Sequence, residues 1–325
     1  MKILVAGGTG FVGANLVPVL LEHGHQVRVM TRTPKPHPES DVGDHAECVY
    51  GDVSDRNSIA AAMQGCDTAF YLVHTLDKAD FVERDRQGAQ NFADAAKAAG
   101  LRRIVYMGGL GDEHDDLSPH LRSRREVENI LAAAVPSVAL RAGIVVGDGS
   151  VSWEILVQLV ERLPVMITPR WVQTKTQPIA LADVVVYLVA AMELDAAAGH
   201  YEVGAPESMT YKEMLQSTAA EKHKRLYIVP VPVLSPALSS HWLRLVTDVD
   251  RQTARSLVDS MTNEVVVTER RLEQLSGHRP MSFREAMQIA LKGRNERKAS
   301  ENDRSDAEEI DSSDDVAASP ADASS

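Results

Sequence analysis

The run Lys2-Ile3-Leu4-Val5-Ala6, followed at once by Gly7-Gly8-Thr9-Gly10-Phe11-Val12-Gly13, decides the fold. The apolar run predicts a buried strand, and the residues from Phe11 onward have the apolar spacing of a helix. Between them, Gly7 permits a tight turn, Gly10 lets the backbone approach a pyrophosphate, and Gly13 lets the helix pack closely on the strand. Free N–H groups at the helix start attract phosphate. The sequence therefore predicts a dinucleotide site here.

Short β-branched runs alternate with Ala-rich helical stretches through the first half of the chain. The pattern predicts strands at residues 2–6, 26–31, 47–50, 67–73, 102–107 and 137–140, with helices at 11–22, 55–63, 80–99 and 118–134. Strands that alternate with helices in this way are typical of βαβ units. We expect an α/β Rossmann fold with a doubly wound parallel sheet.

After Arg141 the rhythm loosens, because prolines divide the chain into shorter pieces. Helices are predicted at 181–194 and 211–221, and strands at 200–203 and 226–229. We predict a Rossmann domain at 1–145 and a smaller mixed lobe at 146–297, interleaved with it and supplying the substrate pocket. The segment 233–246 is apolar on one side, which fits a core-packed helix or, alternatively, a face for lipid or a hydrophobic substrate.

The formal charge of −12 is concentrated at the C-terminus. From Ser300 onward there are nine acidic residues against Arg304, and this segment carries almost no apolar surface to bury. Residues 298–325 are therefore predicted to be a disordered acidic tail. The remaining body is nearly balanced in charge and has no basic stripe, so nucleic-acid binding is not expected.

Cys48 and Cys66 have neither metal-ligand spacing nor the density of a disulfide scaffold, which favours a reducing, cytoplasmic setting. The first residues leave no room for a signal peptide, and no stretch approaches about 20 uncharged apolar residues. Residues 113–116 combine Glu, His and two Asp, but consecutive loop residues rarely converge on one ion. We expect no metal site.

The second strand ends in Met30-Thr31-Arg32 rather than in the acidic residue typical of NAD sites. Arg32 suits a 2′-phosphate, so NADP(H) is favoured over NAD(H), unless this arginine is merely solvated. After the third strand, Asp52 precedes Val53. The Asp52 carboxylate is predicted either to accept a hydrogen bond from the adenine amino group or to cap the next helix.

A series of motifs resembles, in order, the landmarks of atypical and extended short-chain dehydrogenases. They are Gly7 to Gly13, Gly51-Asp52-Val53, Leu72-Val73-His74, Tyr106-Met107-Gly108-Gly109, Leu140-Arg141-Ala142-Gly143 with Gly147, and residues 179–184. The likeness covers residues 1–295 and is nearest to NmrA-like NAD(P)H-binding proteins and the dehydrogenase-like accessory subunit of respiratory complex I. It implies a dinucleotide across the carboxyl ends of the strands, lined by Leu72, Val73, His74 and Gly108.

The sequence departs from this family where the chemistry occurs. Active members carry a serine at the end of the fifth strand and Tyr-x-x-x-Lys on the next helix. Here the strand ends in Gly108-Gly109. If Ser123 matches a serine that is frequent in the family, His120 and Arg124 fall on the tyrosine and lysine positions. His120 is a candidate acid or base, or else a water-facing residue at a helix start. Arg124 could hold the ribose, and His74 is a second acid–base candidate.

Two functions follow from this pattern. The first is an NAD(P)H-dependent oxidoreductase that acts on a small or moderately hydrophobic organic substrate between the lobes. The alternative is a non-catalytic dinucleotide-binding protein, either a redox sensor or an accessory or assembly factor of a membrane redox complex. Peripheral membrane contact and the oligomeric state stay open at this stage.

Overall fold

The computed structural model describes residues 1–33, 46–75, 78, 80–111, 116–193, 198–230 and 251–317. Its centre is a parallel sheet of seven strands in the order β11-β6-β5-β4-β1-β2-β3. In chain order these strands are β1 Lys2–Ala6, β2 Gln26–Thr31, β3 Glu47–Tyr50, β4 Thr68–Tyr71, β5 Arg103–Gly109, β6 Ser137–Ala142 and β11 Gly199–Val203. The strand order reverses between β1 and β4, where doubly wound sheets bind dinucleotides.

Helices cover both faces of this sheet. They are α1 Phe11–Glu22, α2 Arg56–Met63, α3 Phe81–Ala99, α4 Pro119–Ala134 and α6 Leu181–Glu193. Alternate residues of β1 enter two different core layers, because successive side chains of a strand point to opposite faces. Ile3 packs with residues of α1 and α6, and Leu4 with residues of α2, α3 and α4. The predicted α/β Rossmann architecture is confirmed.

The smaller lobe is built from short paired strands and further helices. The pairs are β7 Val145–Val146 with β10 Ile179–Ala180, β9 Lys175–Thr176 with β12 Met209–Thr210, and β8 Val165–Thr168 with β13 Tyr227–Pro230. The helices are α5 Val151–Arg162, α7 Tyr211–Glu221, α8 Arg251–Ser260, α9 Arg271–Ser276 and α10 Phe283–Ala317, with a 3₁₀ turn at Arg170–Gln173. Because β11 returns to the main sheet between these elements, the lobes are interleaved as predicted.

The last helix, α10, extends into the segment that the sequence predicts to be a disordered tail. It continues to Ala317, so the backbone of residues 298–317 is helical where the composition predicted a disordered tail. Its anchored part lies earlier, where Arg294 pairs with Glu154 and Glu161, and Arg297 pairs with Asp148. A helix anchored by these ion pairs can continue beyond them without burying side chains, because each added residue forms one more backbone hydrogen bond.

Membrane-spanning helices and metal sites can be searched for in the described residues. None of the described helices is both long and apolar enough to cross a bilayer. Within the same described residues, no group of three or more potential ligands is arranged to hold a metal ion. The predicted helix at 233–246 and most of the acidic loop at 113–116 lie outside the described residues. The domain limits at 145 and 297 stay predictions.

Candidate functional site

The glycine loop between β1 and α1 is shaped by close backbone packing. Gly7 has a φ of +85° and lies against the backbone of Leu72, so a side chain there would be both strained and crowded. At Gly13 an added Cβ would overlap the Gly7 carbonyl oxygen and the Gly8 Cα. These two positions therefore require glycine for the fold itself.

Gly10 occupies a different environment in the same loop. It is exposed, it is the N-cap of α1 and it offers no side chain to cap the helix. An added Cβ would meet only the Gly7 carbonyl oxygen, 3.3 Å away. The first turn of α1 thus opens to solvent at the carboxyl edge of the sheet, next to exposed Thr9 and half-buried Phe11 and Val12. This cradle fits a dinucleotide pyrophosphate, because N–H groups at a helix start bind anions.

The predicted segment Leu72 to His74 follows β4 and lies beside this loop. Leu72 donates its backbone N–H to the carbonyl oxygen of Ala6, 2.9 Å away, and so lies next to Gly7. Val73 is half-buried and His74 is exposed. The predicted residues Leu72, Val73 and His74 therefore share the carboxyl edge of the sheet with the glycine loop.

Arg32 and Asp52 meet at the ends of β2 and β3. Hydrogen bonds from the Ser54 backbone and hydroxyl lower the pKa of Asp52, and the positive charge of Arg32 lowers it further. The cap of α2 is Asp55, which accepts from the Asn57 N–H. Because Asp55 caps α2, the capping alternative for Asp52 does not hold, and its contact with an adenosine stays a prediction.

Val53 is held in place by a residue that the sequence analysis did not select. The side-chain amide of Asn91, on α3, donates to the Val53 carbonyl oxygen at 2.9 Å. On the same helix, the glycine at position 88 leaves room for the Val53 side chain. A single asparagine on a helix carries no signal in the sequence that would have marked it for this contact.

His120 and Arg124 lie one turn apart on α4, at the carboxyl end of β5. The Nε of Arg124 donates to the Nε2 of His120 at 3.4 Å, and its Nη1 donates to the Met107 carbonyl oxygen at 3.4 Å. The two predicted catalytic candidates thus form one hydrogen-bonded pair. Gly109 makes room for this helix, since an added Cβ would lie only 2.8 Å from Leu121 Cδ2.

The other ring nitrogen of His120 contacts a residue 140 positions away. Nδ1 lies 2.9 Å from the hydroxyl oxygen of Ser260, at the end of α8. The Ser260 hydroxyl donates to the Ser256 carbonyl oxygen, so it accepts from His120 Nδ1–H. This assignment leaves Nε2 unprotonated, facing the Arg124 N–H. Ser260 was not found from sequence, because no local pattern links α8 to α4.

The charge state of His120 follows from these surroundings. Burial lowers its pKa well below 6.5, and the positive charge of Arg124 lowers it further, with a smaller effect from His74. His120 is therefore neutral at neutral pH. Behind the pair, Tyr71 and Tyr106 are fully buried, and burial raises the pKa of both phenols. Gly108 lies against the Tyr106 ring, with 3.1 Å from its added Cβ to the ring.

A narrow apolar cavity lies in the smaller lobe near this pair. Its lining is Ile144, Ser152, Ile155, Leu156, Leu159, Trp171, Tyr211, Leu215 and Met261. Of these residues, Met261 directly follows Ser260, and Ile144 lies two residues beyond the end of β6. The buried indole Nε1 of Trp171 has no hydrogen-bond partner within the described structure.

Comparison with known proteins gives the following likenesses. Residues 7–139 match an NAD(P)H-binding family. A 3-beta-hydroxysteroid dehydrogenase of Mycolicibacterium neoaurum is 39% identical over 116 residues, or 32% of this chain and 31% of the relative. A ceramide reductase of Caulobacter vibrioides is 31% identical over 171 residues, or 50% of this chain and 52% of the relative. The chain thus spans from about a third to about half the length of these curated relatives.

Among solved structures, an Escherichia coli NADPH-dependent quinone oxidoreductase complexed with NADPH shares the fold. Its TM-score is 0.73 at 20% identity, covering 88% of this chain and 98% of that one. A Citrobacter triphenylmethane reductase complexed with NADP(H) has a TM-score of 0.72 at 17% identity, covering 89% and 100%. These likenesses agree with the predicted resemblance: residues 7–139 are similar to an NAD(P)H-binding family, and the fold is shared with the solved reductases named above.

Proposed function

We propose that this protein is an NADPH-dependent reductase of hydrophobic carbonyl compounds, of the quinone or ketone class. The observation that carries the proposal is the position of Arg124. Its guanidinium is fixed by His120 and the Met107 carbonyl oxygen, at the same sheet edge as the glycine loop. A permanent positive charge at this edge stabilises negative charge that develops on a substrate oxygen.

The cofactor preference in this proposal rests on Arg32. An exposed arginine at the end of β2, close to Asp52, suits the 2′-phosphate of NADPH. When bound, NADPH supplies a hydride to the substrate. Gly7, Gly10 and Gly13 would hold its pyrophosphate, Arg32 its 2′-phosphate, Asp52 and Val53 its adenosine, and Leu72, Val73, His74 and Gly108 its ribose and nicotinamide side.

We assign different roles to the two candidates at the former Tyr and Lys positions. Arg124 contacts the ribose and the substrate oxygen, because it stays charged at neutral pH. His120 is neutral and its Nε2 accepts from Arg124, so it orients the guanidinium rather than giving up a proton. The proton that the reduced oxygen needs then comes from water.

The cavity, at about 20 Å³, has room for one small group, so we propose that its apolar wall contacts a hydrophobic part of the substrate rather than enclosing it. Its lining residues offer few polar groups, and the unpartnered Trp171 N–H could donate to a carbonyl or hydroxyl oxygen of the substrate. The similar proteins named above include a quinone oxidoreductase, a ceramide reductase and a hydroxysteroid dehydrogenase.

The test is to mix the purified protein with NADPH and a panel of quinones and hydrophobic ketones, and to follow the absorbance of the reduced nicotinamide. We expect acceptor-dependent oxidation that Arg124→Ala reduces by about 10 to 100-fold, the loss of one charged interaction in the transition state. The matched control is Arg122→Ala, because Arg122 is an exposed arginine on the same helix, paired with Asp116. Equal rates in both variants would remove Arg124 from the chemistry.

A second candidate function is a non-catalytic NADPH sensor or accessory factor. It is favoured by two observations about proton donors. Both ring nitrogens of His120 already have hydrogen-bond partners, and burial raises the pKa of the Tyr71 and Tyr106 phenols. A sensor would bind NADPH and oxidise none of it with any acceptor in the panel. In that case Arg124→Ala would weaken NADPH binding and have no rate to change.

A further inference from the structure

Strands β8 and β13 present an unusual outer face. They pair in parallel, with Tyr227 opposite Val165 and Val229 opposite Ile167. Between these residues, Met166 is buried and Ile228 packs on the core of the smaller lobe. The four outward residues are exposed, with 54% of Val165, 58% of Ile167, 61% of Tyr227 and 50% of Val229 accessible. We call these four residues the apolar ladder.

The ladder is unlike the rest of the described surface. Elsewhere in the described ranges, each helix or strand contributes at most one exposed large apolar residue, such as Val82, Leu275 or Ile289. Single exposed apolar residues are ordinary, whereas adjacent ones at one place mark an interaction surface. Alternation in a two-stranded sheet with one buried face would normally put polar residues outward. The ladder therefore calls for a partner.

Basic residues flank the ladder along the chain. They are Arg162 and Arg170 on either side of β8, and Lys222, Lys224 and Arg225 before β13. Lys224 is tied to the end of α5 by a hydrogen bond to the Glu161 carbonyl oxygen. The acidic groups there are Glu221 and Glu161, and Glu161 is already bonded to Lys222 and Arg294. The rim is thus positive, in a chain whose formal charge is −12.

We propose that the apolar ladder and its basic rim dock this protein on the surface of an anionic lipid bilayer. Apolar side chains enter the interfacial region, Tyr227 is of the residue type favoured at that depth, and the flanking cations lie level with the lipid phosphates. A second copy of the chain fits less well, since a two-fold contact through the ladder would bring the same cations face to face. The proposal is independent of the reductase reaction.

The first experiment is sedimentation of the full chain with vesicles of equal parts phosphatidylglycerol and phosphatidylcholine, and with vesicles of phosphatidylcholine alone. We expect binding to the anionic vesicles that weakens with added salt, and little binding to the neutral ones. The double variant Ile167→Asp and Tyr227→Glu should lose at least tenfold in vesicle affinity. Its control is Ile289→Asp, since Ile289 is equally exposed, at 59%, on α10.

A second variant keeps the test decisive if the acidic substitutions disturb folding. Arg170→Ala with Arg225→Ala alters exposed residues only, and each loss should cost about fivefold in affinity for the anionic vesicles. NADPH affinity and melting temperature should not change, which separates this result from any failure of the reductase proposal. Equal binding to both vesicle types, or unchanged binding by the variants, would overturn the proposal. So would a dimer in solution that the ladder substitutions dissociate.

Discussion

The two ends of the proposed dinucleotide site are built in opposite ways. The phosphate end consists of backbone from one loop, Gly7 to Gly13, and its shape is set by contacts within that loop and with Leu72. The opposite end consists of side chains, in which Arg124 depends on His120 and His120 depends on Ser260. The first end is encoded in seven consecutive residues, whereas the second is assembled from two lobes.

This difference has a consequence for how each end fails. A backbone cradle has no side chain to lose, so it is destroyed only by adding atoms where the ligand lies. A chain of side-chain hydrogen bonds loses strength in steps, because each bond contributes a modest amount. We therefore expect the effects of substitution to fall in size from the glycine loop to Ser260.

The largest effect is expected for Gly10→Val. A side chain there meets little of the protein, since Gly10 is exposed and only the Gly7 oxygen lies within 4 Å of an added Cβ. It would instead occupy the space of the pyrophosphate, so NADPH binding should become undetectable by calorimetry while the melting temperature holds. The contrasting variant is Gly13→Val, which should unfold the protein because its side chain would overlap the loop backbone. Unchanged affinity in folded Gly10→Val would show that the phosphates bind elsewhere.

The strand, glycine loop and helix of the phosphate end could be predicted from sequence, whereas phosphate binding there stays a prediction. Gly7, Gly10 and Gly13 lie in a strand–turn–helix whose bounds depend on local spacing, and α1 spans the predicted residues 11–22. The predicted strands of the first half match because buried parallel strands are continuous apolar runs. The residues of the side-chain end could not all be predicted from local spacing. Ser260 and Asn91 act through contacts across the fold, which leave no periodic signal.

The next effect concerns Arg32, at the adenosine part of the phosphate end. Arg32→Ala should weaken NADPH binding by about 10 to 150-fold, the worth of a hydrogen bond to a charged group, and should leave NADH binding nearly unchanged. The control is Arg56→Ala, an exposed arginine at the start of α2 that pairs with Asp94. Titrations of both cofactors would test this. An equal loss for NADPH and NADH, or a wild-type preference for NADH, would show that Arg32 does not read the 2′-phosphate.

A smaller effect is expected for His120→Ala at the side-chain end. If His120 orients Arg124, kcat/KM should fall by about tenfold, and His120→Gln should restore part of it by supplying an oxygen acceptor for the guanidinium. A general acid or base would instead be worth about 100 to 10,000-fold, with no rescue. Because burial and Arg124 lower the pKa of His120, the wild-type rate should show no inflection near pH 6.5. A loss in the larger range would make His120 the proton donor.

The smallest effect is expected for Ser260→Ala, which removes one of the hydrogen bonds between α8 and α4. The Ser260 hydroxyl holds the proton of His120 on Nδ1, so its loss lets the other tautomer turn an N–H toward Arg124. Because Ser260 affects Arg124 only through His120, kcat/KM should fall only about threefold, the lower range for a neutral hydrogen bond. Thr262→Ala is the matched control, since its hydroxyl bonds the Asp259 carbonyl oxygen nearby and is not bonded to His120. If both variants lose the same small stability and only Ser260→Ala slows turnover, the smaller lobe sets the geometry of the side-chain end. If Ser260→Ala and Thr262→Ala have equal kcat/KM values, the geometry of the side-chain end depends on α4 and β5 alone.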